Sequence, residues 1–160
     1  MEKPCTIKDV LKELDSIIDN CILNDSRLGL FAFLYRRTTA EIAKEIKPGN
    51  FQDNKRMESY DVEFANLYLD AYHNYKKGLP VSKSSAFAFD SAFEKLTIVQ
   101  HILFGMNTPI NLDLSIATTQ TMAGKQINAL ENDFNKVNDI LKQITNELQD
   151  NLSLVSALWS

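Results

Sequence analysis

Apolar residues recur along this chain with the three-and-four spacing of helices, and period-two alternation is hard to find. Ile7, Val10, Leu11, Leu14, Ile17, Ile18 and Cys21 form one stripe that opens after Thr6, a natural N-cap. Asn24-Asp25-Ser26 breaks it. A second helix is predicted from about Leu28 to Ile46, where Pro48-Gly49 ends it. A third runs from about Asn54 to Lys77, between Asp53 as N-cap and Gly78 as C′ residue. Ser82 or Ser84 opens a fourth, rich in phenylalanine, which the pattern carries on to Phe104. A short helix is expected after Asp113, itself a suitable N-cap, and a last long helix from near Lys125.

That last helix has the cleanest pattern. Ile127, Leu130, Phe134, Val137, Leu141, Ile144 and Leu148 alternate steps of three and four, a heptad seam. The plain reading is packing within the chain's own bundle. The sharper one is a homo-oligomer through the C-terminal helix. The tail Leu152, Leu154, Val155, Leu158 and Trp159 is apolar enough to need cover. These elements make an all-α, single-domain bundle of about six helices over residues 1–160.

Polar residues in apolar surroundings mark where a site would lie. The stretch from Ile98 to Leu114 joins an apolar helix end to a Gly105-Met106-Asn107 turn and a new helix start, and holds His101, Asn107, Asn111 and Asp113. Asn107 suits the left-handed end of a helix, and Pro109 makes Thr108 extended. Asn111 has no such local role and is a candidate for a hydrogen bond across the core.

On the third helix, at 100° per residue, Glu63, Asn66, Asp70 and His73 form one stripe, most simply a solvated face. Asp61 lies about 160° from Glu63, among the directions of Met57, Tyr60, Phe64, Tyr68 and Tyr72, and points into the apolar side. A buried carboxylate needs a cation, several donors or a metal, or else takes up a proton. Arg36, Arg37, His101, tyrosine hydroxyls and backbone N–H groups are the candidate partners. His101 stands in an apolar helix end, as a neutral core histidine, a metal ligand or a general base.

Charge and cysteine usage narrow the classes. The net charge of −4 opposes non-specific nucleic-acid binding. No apolar run reaches the roughly 18 residues of a membrane span. Met1 to Thr6 lacks the apolar core of a signal peptide, so a cytoplasmic location is the default expectation. Cys5 and Cys21, on a largely helical segment, would lie about 20 Å apart, too far for a disulfide. One histidine among scattered carboxylates is a weak signal for a divalent metal, and no cofactor is strongly implied.

Three blocks carry a resemblance. They are Phe33-Leu34-Tyr35-Arg36-Arg37-Thr38-Thr39, then Arg56-Met57-Glu58 with Asp61 to Leu69, then Gln100-His101 through Gly105-Met106-Asn107 to Ile110-Asn111-Leu112-Asp113-Leu114. Over roughly Leu28 to Ala117 the chain resembles an uncharacterised bacterial family, domain of unknown function 5995. The resemblance implies an all-helical domain and no established activity. In the family's usual pattern a histidine precedes Ile-Asn-Leu-Asp; here that position is Pro109, so any group that histidine supplies is missing. A histidine, a Gly/Asn turn and an aspartate also loosely resemble helical zinc phospholipases and nucleases, which carry many more histidines.

The expected interior is a buried polar cluster of Arg36, Arg37, Asp61, His101, Asn111 and Asp113. It would serve a binding or structural role. The alternatives are a hydrolase-like, metal-dependent enzyme using Asp61 and His101, with Asp113 as a further metal ligand, and an oligomer built on the heptad seam.

Overall fold

The computed structural model describes residues 3–95, 100, 111–122 and 130–158, with the backbone alone for 111 and 151–158. Among the described residues there are six helices and no strand: α1 (Ile7–Leu23), α2 (Gly29–Ile46), α3 (Asn54–Lys76), α4 (Lys83–Ser91), α5 (Asn111–Thr121) and α6 (Glu131–Leu158). The fold is all-α. α3 packs against α1, α2, α4 and α5, and α2 packs against α1, α3 and α6.

Local chemistry sets the helix ends. The Thr6 hydroxyl oxygen accepts from the Asp9 N–H at 3.2 Å and donates to the Asp9 carboxylate at 2.7 Å, so cap and first turn hold each other. α1 then buries Ile7, Val10, Leu14, Ile17 and Cys21. Asp53 caps α3 by accepting from the Arg56 N–H at 2.9 Å. Gly78 follows α3 at φ 69°, a left-handed conformation that glycine adopts without a Cβ penalty. α3 is the central element: Met57, Tyr60, Phe64 and Ala65 have no exposed surface. Each large side chain buried in this way contributes about 1.5–3 kcal/mol.

Two boundaries differ from the sequence pattern. α4 ends at Ser91, short of the expected helix, whose later part at 96–99 and 101–104 lies outside the described residues. The N–H groups of Ala92, Phe93 and Glu94 bond three residues back, the Ser91 hydroxyl donates to the Ala88 carbonyl at 2.6 Å, and Arg27 donates to the Glu94 carbonyl at 3.2 Å. These bonds tighten and close the last turn. α5 begins at Asn111, which puts Asp113 in its first turn rather than at the cap.

The seam of α6 faces this chain's own core. Leu130, Val137, Leu141 and Ile144 are buried, with Phe134 and Leu148 packed partly against them. The expected helix start near Lys125, Ile127 and the tail's side chains lie outside the described residues.

Candidate functional site

Tyr35 and Thr39 stand one turn apart on the inner face of α2, and each meets a carboxylate. The Tyr35 ring stacks on Phe64 and Tyr68 of α3, with centroids 4.9 and 4.3 Å away. Its hydroxyl donates to Asp113 Oδ2 of α5 at 2.5 Å. The Thr39 hydroxyl donates to Asp61 Oδ1 of α3 at 3.4 Å, a long bond. Asp61 is wholly buried, and its Oδ2 has no hydrogen-bond partner. Asp113 is 7% exposed.

Burial dominates the electrostatics. Loss of water pushes the Asp61 carboxyl up to about 7, against a downward pull from the Thr39 hydroxyl. Burial raises Asp113 to about 6, with the Tyr35 hydroxyl pulling it down. Tyr35 itself is held well above the ordinary phenol value, first by burial and then by Asp113. Tyr60, whose hydroxyl donates to the Leu114 carbonyl at 3.4 Å, is pushed up to about 12, mainly by burial. Among the described residues, these two aspartates thus sit in the core against hydroxyls and not cations.

A third interior carboxylate is fully matched. Asp133, in the first turn of α6, accepts from the N–H groups of Gln52 and Asp53 at 2.8 and 3.4 Å. Arg56 Nη2 also donates to it at 2.8 Å. This arrangement ties the start of α6 to the start of α3.

The expected cluster is only partly brought together. Asp61 and Asp113 are in the interior. Arg36 and Arg37 are not with them, which corrects the expectation of a cationic partner from this pair. They follow Tyr35 around α2 and turn outward, where Arg36 pairs with Asp15 at 2.7 Å and Arg37 with Glu147 at 2.8 Å. His101 and the Asn111 side chain lie outside the described residues. The solvated stripe on α3 also needs correction at Asn66, which is 2% exposed because the N-terminal segment covers it; its amide donates to the Pro4 carbonyl at 2.9 Å. His73 pairs with Glu13 at 3.0 Å.

Sequence reasoning missed Tyr35, Thr39 and Asp133. Tyr35, Thr38 and Thr39 share the wheel direction of Phe31 and Ile42, a hydroxyl stripe inside an apolar one. Asp133 stands beside the seam position Phe134, with no local sign of its partners.

Access completes the picture. A cleft of about 410 Å³ lies between the start of α3 and the end of α5, lined by Asp53, Arg56, Ser59, Glu63, Gln120 and Thr121. Neither Asp61 nor Asp113 lines it, and neither lines the grooves beside α1 or under the N-terminal segment. Among the described residues no three His, Cys, Asp or Glu side chains gather as a metal-binding set. Among them, too, no helix is long and apolar enough to cross a membrane.

Helical architecture and hydroxyl-bound core carboxylates define the class: an all-α protein with a few polar pairs inside a hydrophobic core. The chain belongs to the family of unknown function DUF5995, whose pattern matches residues 7–160, beyond the Leu28–Ala117 that carries the resemblance. No curated protein and no solved structure matches it.

Proposed function

We propose that this chain is a non-catalytic helical domain, in which interior polar pairs fix helix register and the outer faces bind partners. The supporting observation is Asp61: a wholly buried carboxylate that, among the described residues, meets one hydroxyl and no cation, and that lines none of the clefts described above. Chemistry on a substrate needs a reachable group, and this one is enclosed. Thr39–Asp61 and Tyr35–Asp113 join α2 to α3 and α5, and Arg56–Asp133 joins α3 to α6. Such pairs favour one helix register because a slip would strand buried polar atoms. They support one cooperative domain over residues 1–160. The buried seam of α6 requires no partner helix in this reading. The bacterial, cytoplasmic setting rests on the family resemblance and on Cys5 and Cys21, both free thiols.

Metal content and thermal unfolding test the proposal. Protein purified without added metal is expected to carry no stoichiometric divalent metal, and a chelator is expected to leave its melting temperature unchanged. Thr39→Val and Tyr35→Phe are each expected to lower it. One metal ion bound per chain, or wild-type melting in both variants, would overturn the reading in favour of a metal-dependent enzyme or an idle interior.

A further inference from the structure

We propose that the outward stripe Glu63, Asn66 and Asp70 of α3 is a docking site for an extended, lysine-bearing peptide segment of a partner protein, which the chain's own Lys3–Cys5 segment occupies in cis. The stripe lies away from Asp61 on the helix, so it does not depend on the role of the buried carboxylates.

Two features of the occupied site point to a peptide. The Lys3 ammonium lies 3.6 Å from Glu63 Oε1 and 3.6 Å from Asp70 Oδ2, so two carboxylates converge on one cation. Between them, Asn66 donates its amide N–H to the Pro4 carbonyl at 2.9 Å. A side-chain amide offers a donor and an acceptor together, as does the peptide group of an extended residue. Here only half of that match is made. Asn66 Oδ1 is buried and has no hydrogen-bond partner, and proline has no N–H to give it.

The native occupant is therefore a poor one. Its charges are half-exposed pairs at long distance, a type that holds weakly. A segment with lysine followed by a residue other than proline keeps the cation and the carbonyl and adds the missing donor. Room for its neighbours exists in a cleft of about 500 Å³ between the Lys3–Cys5 segment and Lys55, Glu58, Ser59 and Val62.

Fluorescence polarisation with a defined probe tests this. The probe is a dye-labelled peptide copying residues 1–6 with Pro4→Ala and Cys5→Ser. The receptor is the full chain with Lys3→Glu, whose own segment is repelled by Glu63 and Asp70. Saturable binding is expected, about tenfold tighter than to the wild-type chain, where the native segment competes. A probe that retains Pro4 is expected to bind more weakly. Adding Asn66→Ala to the receptor, or Asp70→Lys at an exposed position that leaves melting unchanged, is expected to abolish binding. Absence of saturable binding to the Lys3→Glu chain, or binding that survives Asp70→Lys, would overturn the proposal. A Lys3-dependent dimer of the wild-type chain in light scattering would also overturn it, by assigning the stripe to a second copy.

Discussion

Tyr35 donates its hydroxyl to Asp113 at 2.5 Å inside the core, across 78 positions of sequence. The bond lowers the proton affinity of that buried carboxyl, against the upward push of burial. Tyr35→Phe keeps the ring stacked on Phe64 and Tyr68 but strands Asp113. Leaving a buried polar group unmet costs about 1–3 kcal/mol. For a chain of this size each kcal/mol is worth about 2–4 °C of melting temperature. Calorimetry should therefore show a drop of several degrees for Tyr35→Phe. Tyr35→Phe combined with Asp113→Leu should recover part of it, because neither partner is then left unpaired.

The pH dependence of stability should run opposite to ordinary acid denaturation. Asp61 is raised from 3.8 to about 7 and Asp113 from 3.8 to about 6, both by burial. Between those values the folded chain holds protons that the unfolded chain has released. Stability from these groups is thus complete below 3.8 and is lost as pH rises through about 6 and about 7. For Asp61, a rise from 3.8 to about 7 corresponds to about 4 kcal/mol. Asp61→Asn keeps an acceptor for Thr39 and cannot ionise. It should melt above wild type at pH 8 and at or below it at pH 5. Parallel pH profiles for the two proteins would contradict the enclosed, cation-free setting of Asp61.

Local signals in the sequence reach as far as local physics does. Thr6, Asp53 and Gly78 mark helix ends because a cap or a left-handed turn involves only near neighbours. The inward direction of Asp61 follows from wheel angle alone. Partner choice does not. Arg36 and Arg37 find Asp15 and Glu147 because α1 and α6 lie beside α2, which no spacing within α2 encodes. Asn66 reads as solvated until residues at the N-terminus cover it. At the end of α4 the local turn bonds are joined by Arg27, which reaches the Glu94 carbonyl from 67 positions away, a contact made by the fold and not by the helix.

Arg56 and Asp133 form the most enclosed ion pair among the described residues, at 14% and 2% side-chain exposure. Breaking one partner of a buried pair strands the other charge and costs about 3–5 kcal/mol. Arg56→Met keeps the stem's packing, and the N–H groups of Gln52 and Asp53 still face the carboxylate. The loss should fall at the low end, about 3 kcal/mol in urea unfolding. Hydrogen exchange at the Gln52 and Asp53 amides should quicken, since both lean on Asp133. Wild-type exchange there would show that this knot does not hold α6 to α3.

Gly29 sets how closely α1 and α2 approach. A Cβ added there would sit 2.8 Å from the Cβ of Cys21, closer than two carbons can pack, and 3.7 Å from its sulfur. Both Cβ atoms are fixed by helix backbones, so no rotamer relieves the overlap. Gly29→Ala should destabilise by about 1–3 kcal/mol despite the better helix propensity of alanine. Cys21→Ala should not rescue it, because the offending Cβ remains. Cys21→Gly should restore part of the loss, and the coupling between the two sites measures the contact. If Gly29→Ala melts with wild type, the two helices do not pass at this distance.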